Sequence, residues 1–213
     1  MSPQIYFTSD LHFFHKAILK HCPDRQNVCN AQNEEDVISW NLWAIDKWNS
    51  TVNKKDIIYI LGDLSFASPD VTRKLLEKLH GKKFLILGNH DKSSEHFENY
   101  FEQITQQKLV TFKKSNFDFL EEDFSVFLCH YPMVTWNSKH FGVCQAHGHC
   151  HGRLDDYNAN STDLRVDVGI DGKLGNFNFV TLEQLYKHFK DKSNGEKFRH
   201  YACEMKNKNE MII

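Results

Sequence analysis

The first 92 residues alternate between short apolar runs and amphipathic segments. Apolar runs at 5–9, 57–61 and 84–87 are typical of buried strands. Between them, residues 34–48 and 68–79 carry apolar side chains at helical spacing, and the second segment begins with a Ser-Pro pair that favours a helix N-terminus. This alternation predicts an α/β fold with right-handed crossovers and a largely parallel sheet covered on both faces.

The two predicted helices concentrate their bulky apolar side chains on one face. Trp40 and Trp48 recur at helical spacing in the first helix, so we expect them to pack in the core. In the second helix, the residues expected to face inward are Val71, Leu75, Leu76 and Leu79.

After residue 92 the apolar segments become shorter and mostly strand-like. The predicted strands are 108–112, 117–120, 125–129, 143–146 and 164–168, which together suggest a second, more antiparallel sheet. Thr181 and Gln184 fit a capping box before a helix at 182–189. We find no repeat, low-complexity block or linker, so the prediction is one domain over 1–213, with the lysine-rich residues after about 193 loosely packed.

Composition narrows the class of protein. The chain has 213 residues, with 26 Lys and Arg against 28 Asp and Glu, and a net charge of −2 argues against a globally basic nucleic-acid wrapper. No apolar run approaches the ~20 residues that a membrane span needs, so no membrane partner is expected. Six cysteines without a C-x-x-C pair, and no signal peptide, predict reduced thiols and a cytoplasmic protein.

Polar side chains cluster where the predicted strands end, and histidine is prominent among them. Asp10 and His12 follow the first strand, Asp63 follows the second, and a Gly-Asn-His-Asp run follows the third. His130 and the Gly-His-Cys-His-Gly run at 148–152 come after two later strands. Because the carboxyl ends of strands converge at one edge of an α/β sheet, we expect these side chains to share a pocket.

Such a pocket needs a cation. Unpaired buried polar groups cost roughly 1–3 kcal/mol each, and divalent ions remove that cost. Imidazole with carboxylate and carbonyl oxygens suits Mn, Fe, Zn, Co or Ni rather than Ca, and the lack of clustered thiolates argues against a structural zinc. When His90 is set aside, the pocket offers seven candidate ligands, namely two Asp, one Asn and four His. Seven are too many for one ion, but they fit two ions that share a bridging carboxylate and lie about 3.5–4 Å from each other, as in phosphoryl-transfer sites.

The ordered series D-x-H, G-D, G-N-H-D, H and G-H-x-H resembles the calcineurin-like metallophosphoesterase superfamily, in particular its small bacterial and phage members. The resemblance implies a four-layer α/β/β/α sandwich of two mixed sheets. It implies one cation held by Asp10, His12, Asp63 and His151, and a second held by Asp63, Asn89, His130 and His149. Mn is the preferred identity, with a metal-bridging hydroxide as nucleophile. His90 would contact the phosphoryl oxygen or protonate the leaving oxygen, its ring oriented by Asp91 or a backbone carbonyl.

Departures from the family motifs narrow the branch. Gly62-Asp63 is not followed by the arginine-containing motif of protein Ser/Thr phosphatases and diadenosine tetraphosphate hydrolases, so both become disfavoured. Phe66 stands where purple acid phosphatases carry tyrosine, so no tyrosinate colour is expected. The G-N-H-D form leans towards phosphodiesterases and nucleases.

The sequence predicts a hydrolase of phosphate esters, with a nucleotide or nucleic-acid phosphodiester preferred because residues 92–125 are too few for a separate cap domain. The alternatives are a small-molecule phosphomonoesterase or a non-catalytic metal-binding scaffold. Candidate substrate contacts are His15, Arg25, Trp136 and Arg153, with Lys92, Lys139 and Arg165 as further cations near the expected site. His147 is expected to lie beneath the ligands as a supporting residue. The oligomeric state is left open.

Overall fold

The computed structural model describes residues 3–92 and 94–192, which form two mixed β-sheets flanked by helices. The helices are α1 (Ile18–His21), α2 (Asp24–Cys29), α3 (Val37–Thr51), α4 (Pro69–Lys78), α5 (Asp155–Asn160) and α6 (Leu182–Lys192). Short 3-10 helices cover Ser94–Tyr100, Lys114–Asn116 and Lys139–Phe141. None of the helices in these two ranges has the length and apolar composition needed to cross a membrane.

The first sheet has five strands and is parallel apart from one edge. Its strands are β1 (Ile5–Thr8), β2 (Ile57–Ile60), β3 (Lys82–Ile86), β4 (Gln103–Thr105) and β9 (Val180–Thr181). Their order is β4-β3-β2-β1-β9, in which the first four run parallel and β9 pairs antiparallel to β1. The crossovers from β1 to β2 and from β2 to β3 pass through the helices α1–α3 and α4, as the alternating sequence pattern predicts.

The second sheet has four strands in the order β5-β6-β7-β8. They are β5 (Gln107–Phe112), β6 (Phe124–Cys129), β7 (Cys144–His147) and β8 (Arg165–Asp167). The pair β5–β6 is antiparallel, whereas β6–β7 and β7–β8 are parallel. One of the three strand pairs of this sheet is antiparallel, against one of four in the first sheet, so both sheets are mixed and the second is only slightly more antiparallel than the first.

Alternation along the strands divides the interior into two cores. On β1, Tyr6 faces the core that helices α1–α4 build, whereas Phe7 faces the core between the sheets. Trp40 and Trp48 are completely buried in the helical core, as predicted. Helix α5 and the segment 133–143 lie against the outer side of the second sheet, so the expected α/β architecture of two packed mixed sheets is confirmed.

Three local predictions are wrong. Helix α3 begins at Val37, because Asp36 accepts a hydrogen bond from the Ser39 amide and caps the helix after the acidic run. Val71 is 40% exposed, since the buried face of α4 contains Thr72 together with the expected leucines. Residues 117–120 form a loop after a 3-10 turn, from which phenylalanine rings pack into the core without strand pairing.

The C-terminal helix follows its sequence signal closely. The Thr181 amide donates to the Gln184 side chain and the Gln184 amide donates to the Thr181 hydroxyl, which is the predicted capping box. The helix extends to Lys192, beyond the predicted end. The predicted loose tail lies outside the described residues.

Candidate metal centre

Five strands deliver polar side chains to one edge shared by the two sheets. Asp10 follows β1, Asp63 follows β2 and Asn89 follows β3, while His130 directly follows β6 and the 148–152 loop follows β7. The register places β1, β2 and β3 side by side, and β6 beside β7, so these strand ends are neighbours. Side chains that are as many as 141 residues apart in sequence are brought together here.

The first group of candidate ligands comprises Asp10, His12 and His151. The His12 Nε2 atom lies 3.6 Å from Asp10 Oδ1, and the His151 Nε2 atom lies 3.9 Å from the same oxygen. Both distances exceed hydrogen-bonding range. Asp10 Oδ1 and both ring nitrogens of His12 are buried and have no hydrogen-bond partner.

The second group comprises Asp63, His130 and His149, with Asn89 beside them. His130 donates from Nδ1 to the Leu61 carbonyl at 2.7 Å, which leaves the Nε2 lone pair facing inward in the neutral ring. That Nε2 atom lies 3.0 Å from Asn89 Oδ1 and 3.2 Å from His149 Nδ1. Atoms that are predominantly acceptors thus converge on one point.

Asp63 lies between the two groups. Its Oδ2 atom is 3.6 Å from His12 Nε2 and also 3.6 Å from His130 Nε2. The same carboxylate accepts a hydrogen bond from the His90 amide through Oδ1 at 2.9 Å, which fixes its orientation. One carboxylate oxygen therefore faces both clusters.

The donor set fits two divalent cations. Buried acceptors that face one another without protons between them repel, and each unsatisfied polar group costs roughly 1–3 kcal/mol. Imidazole nitrogens with carboxylate and amide oxygens are ligands that first-row divalent metals accept. A cation in the first group would satisfy Asp10 Oδ1 and one ring nitrogen of His12, and a cation in the second would satisfy the converging atoms around His130.

Electrostatics in the pocket favour the ligating protonation states of Asp10, His12 and His149. Burial alone would raise the pKa of Asp10, but the imidazoles of His12, His151 and His130 outweigh burial and place the pKa below its usual range. Burial lowers the pKa of His12 and of His149. Ionised carboxylate and neutral imidazole are the forms that bind metal. At His151, burial alone would lower the pKa, but the hydrogen bond to Asp171 and the other neighbouring acceptors outweigh burial and raise the pKa to about 10.

Two glycines allow the loops to approach this closely. A Cβ on Gly148 would overlap Ser9 Oγ and Asp10 Oδ2, and a Cβ on Gly88 would overlap the carboxylate of Asp63. The two loops can therefore contact the candidate ligands only where a side chain is missing.

Comparison with known proteins bears on what such a site does. The sequence model of the family described as calcineurin-like phosphoesterase matches residues 3–171, which include all the residues described above. The chain belongs to this calcineurin-like phosphoesterase family. The family hydrolyses phosphate esters with metal ions, and the two mixed sheets agree with its fold.

The relatives of this phosphoesterase span nearly the same length. An uncharacterized protein from Methanocaldococcus jannaschii is 29% identical over 187 residues, covering 86% of this chain and 90% of the relative. The Gene 66 protein of Mycobacterium phage D29 is 28% identical over 191 residues, covering 78% of this chain and 87% of the relative. A crystal structure of a protein of unknown function from Aquifex aeolicus shares the fold, with a TM-score of 0.60, 21% identity, and coverage of 88% of this chain and 100% of that one.

In this calcineurin-like phosphoesterase, His90 lies at the exposed edge of the pocket. Its ring centroid is 5.9 Å from that of His12 and 4.4 Å from that of Phe66. Asp91 has a different place from the one expected. Its buried carboxylate accepts backbone hydrogen bonds from Asp63, Leu64 and Gly88, so it holds the loops and does not orient the His90 ring.

The structure places the four candidate substrate contacts in different environments. His15 lies near the pocket, stacked on Phe66 with 4.1 Å between ring centroids, and burial together with neighbouring His12 lowers its pKa to about 4. Arg153 is exposed and donates to the His21 carbonyl. Arg25 is completely buried beneath the loops and does not face solvent. Trp136 is buried behind the second sheet, where its Nε1 donates to Val143, so neither side chain lines the pocket.

The three further candidate cations also differ in their exposure to solvent. Lys139 contacts Asp163 at 2.8 Å, and Arg165 is buried with hydrogen bonds to Asn158 and to the Met133 carbonyl. Lys92 is exposed beside the G-N-H-D loop and remains the cation of this group with free access to solvent. His147 lies completely buried under the ligands, where it contacts Asn158, in agreement with its expected position.

Sequence reasoning missed three residues near the pocket. Asp171 contacts His151 and Arg25, and Asp167 accepts amide hydrogen bonds from Gly169 and Gly152. The D-V-G-I-D spacing in which they occur is the one available signal. Tyr131, which directly follows His130, is 44% exposed and lies edge-on to His149 with 4.8 Å between ring centroids.

Proposed function

We propose that this phosphoesterase binds two divalent cations and hydrolyses phosphodiesters of nucleotides or nucleic acids. In this proposal, Asp10, His12, Asp63 and His151 hold one cation, and Asp63, Asn89, His130 and His149 hold the other. The observation that carries it is the position of Asp63 Oδ2, at 3.6 Å from an imidazole nitrogen of each group. A shared carboxylate of this kind is what a pair of cations requires.

Two divalent cations, Mn²⁺ by preference, would supply positive charge for the phosphoryl oxygens and lower the pKa of an attacking water. The protein's own residues then complete the site. The His90 ring reaches the pocket from its exposed edge, where it can donate a proton to a phosphoryl or leaving oxygen. The hydrogen bond from the His90 amide to Asp63 Oδ1 couples the position of this residue to that of the shared carboxylate.

Diester selectivity is supported by the small size of the segment between the third and sixth strands and by an exposed aromatic side chain beside the ligands. Residues 94–120 form two short 3-10 helices, β4 and β5, too few elements for a separate cap domain. Tyr131 is exposed directly after β6 and lies edge-on to His149, so it is available to a second ester substituent. The exposed Tyr131 ring offers a stacking surface for a nucleobase.

The test compares metal content with turnover. Elemental analysis of purified protein should give about two metal ions per chain, and hydrolysis of bis(p-nitrophenyl) phosphate should stop on chelation and return with Mn²⁺. A higher kcat/KM for this diester than for p-nitrophenyl phosphate supports the diester preference, and the reverse order supports a small-molecule phosphomonoesterase. Stoichiometric metal without turnover of either compound would favour a binding scaffold.

Two further features belong to the proposal. A single domain over the whole chain is supported by the family match to residues 3–171 and by the packing of α6 on the inter-sheet core. A cytoplasmic location is supported by five free cysteines among the described residues.

A further inference from the structure

Arg25 is a completely buried cation placed directly under the pocket. Its guanidinium donates to the carbonyls of Asp10 at 2.6 Å and Leu11 at 3.1 Å. It also forms a two-pronged contact with the Asp171 carboxylate, one arm of which is a 2.8 Å hydrogen bond from Nε to Oδ1. A fully buried arginine is rare unless it is paired, and here the guanidinium hydrogen bonds go to the Asp10 and Leu11 carbonyls and to the Asp171 carboxylate.

Asp171 also contacts a candidate ligand, His151. Its Oδ2 atom lies 2.6 Å from His151 Nδ1, a distance at which the ring nitrogen donates a proton. With the proton on Nδ1, the Nε2 lone pair of His151 is directed towards Asp10 Oδ1, 3.9 Å away. Carboxylates that fix a histidine tautomer in this way strengthen it as a metal ligand.

The other contact of Arg25 supports strained backbone. Asp10 and His12 have φ angles of 58° and 50°, in the left-handed region that side chains disfavour. The Leu11 carbonyl between them accepts hydrogen bonds from Arg25 and from the Trp40 indole at 2.8 Å. The guanidinium itself stacks over the Trp40 ring at 4.3 Å, so its own position is fixed by packing.

We propose that Arg25 and Asp171 are positioning residues for the cation bound by Asp10, His12 and His151, a proposal that rests on the two-cation function. One residue holds the strained Asp10–His12 loop and the other sets the His151 tautomer. Because Asp171 neutralises Arg25, the pair organises three ligands without adding net positive charge beside the cation. The second group, around His130, has no direct contact with this pair.

If Arg25 and Asp171 position three ligands of one cation, replacing them should weaken the binding of that cation and not of the other. In calorimetric titration of metal-free protein with Mn²⁺, Arg25→Met and Asp171→Asn should weaken one binding event by about 10–100-fold and leave the other unchanged. At saturating Mn²⁺ the kcat for bis(p-nitrophenyl) phosphate should recover most of its wild-type value. Arg25→Lys, which keeps the charge but loses the fork, should fall between wild type and Arg25→Met.

Matched controls separate positioning from general destabilisation. Arg165→Met removes another buried arginine that touches no candidate ligand, and Asp56→Asn makes the isosteric change at a buried carboxylate remote from the pocket. Both controls should bind two Mn²⁺ ions with wild-type affinity, even if their melting temperatures fall. If Arg25→Met does not fold, the isosteric Asp171→Asn alone decides the matter.

The outcomes distinguish this inference from the proposed function. Wild-type protein that binds two Mn²⁺ ions while the Arg25 and Asp171 variants keep both affinities overturns the inference and leaves the function intact. Equal weakening of both binding events, or the same weakening in the Arg165 and Asp56 controls, also overturns it. Wild-type protein that binds no Mn²⁺ overturns the proposed function and the inference with it.

Discussion

Asp91 offers a test of what holds the pocket together, because its carboxylate bonds only to backbone amides. Oδ2 accepts from Asp63 N at 2.7 Å and from Gly88 N at 2.8 Å, and Oδ1 accepts from Leu64 N at 3.1 Å. The substitution Asp91→Asn keeps the shape but replaces one acceptor by an NH₂ group. The amide oxygen is expected to take the Oδ2 position, where it retains two hydrogen bonds, so the Leu64 amide loses its partner.

The expected loss of stability follows from the one hydrogen bond that is removed. One buried N–H without a partner costs about 1–3 kcal/mol. Burial raises the pKa of Asp91 against the opposing hydrogen bonds of the three amides, so removing the buried charge offsets part of that loss. For a chain of this size, 1 kcal/mol corresponds to about 2–4 °C in melting temperature, which gives a shift of roughly 2–12 °C.

The assay is urea unfolding of metal-free protein, followed by Mn²⁺ titration and diester hydrolysis. Asp91→Asn should lower the free energy of unfolding and should also reduce metal affinity or activity by about 10–100-fold, because the loops that carry Asp63 and Asn89 lose a shared support. Asp56→Asn is the matched control. Asp56 accepts from the amides of Gln4 and Asn53 at the opposite end of β2, so this variant should lose stability without losing activity.

Two results would refute this interpretation. An Asp91→Asn protein of unchanged stability but reduced kcat would mean that the carboxylate acts on the chemistry, as in the expectation that it orients His90. Equal activity losses in the Asp91 and Asp56 variants would mean that general destabilisation explains both.

Three further variants address the ligands, the acid and the C-terminal helix. Asp63→Asn should abolish turnover and remove metal-linked stabilisation, which is ~2.7 kcal/mol at free metal 100 times Kd and is measured as the Mn²⁺-induced melting shift. His90→Ala should keep two metals per chain by elemental analysis while kcat falls by roughly 10²–10⁴, and loss of metal would contradict its assignment as an acid. Burial lowers the pKa of His188, so wild-type protein should lose stability as pH falls below the unfolded-state histidine value. In urea unfolding from pH 8 to 5, His188→Gln should lose less stability than wild type, and identical pH profiles would contradict this.

The parts of the fold that depend on local pattern could be predicted. The apolar run that became β2 and the Thr181 capping box are both specified within a few residues, and both occur as expected. The strand predicted at 117–120 is wrong, because alternating phenylalanines are equally compatible with a strand and with a loop. Phe117 reaches Phe112 edge-on from a loop, with 6.2 Å between ring centroids, and only the tertiary packing decides between the two.

For the pocket, the chemistry of the residues could be predicted from the sequence, but their burial could not. Histidines and carboxylates at strand ends indicate a metal site because few other environments tolerate them together. Charge and aromaticity alone do not reveal burial, so Arg25 and Trp136 resembled substrate contacts until packing showed them beneath the surface. The partner of Arg25 is Asp171, 146 residues away, and no local pattern links the two.

Backbone conformation explains why these ligands need such supports. Asp10, His12, Asp63, His149 and His151 all have φ between 50° and 68°. The left-handed region costs a side-chain-bearing residue roughly 1–2 kcal/mol, and glycine, which avoids that cost, has no side chain to bind a cation. The chain therefore places ligands where glycine would fit better, and the surrounding contacts must offset several kcal/mol. Arg25 under Asp10, and Asp91 at the Asp63 amide, are two such contacts. We therefore expect ligand loops held this way to keep their conformation whether or not a cation is bound.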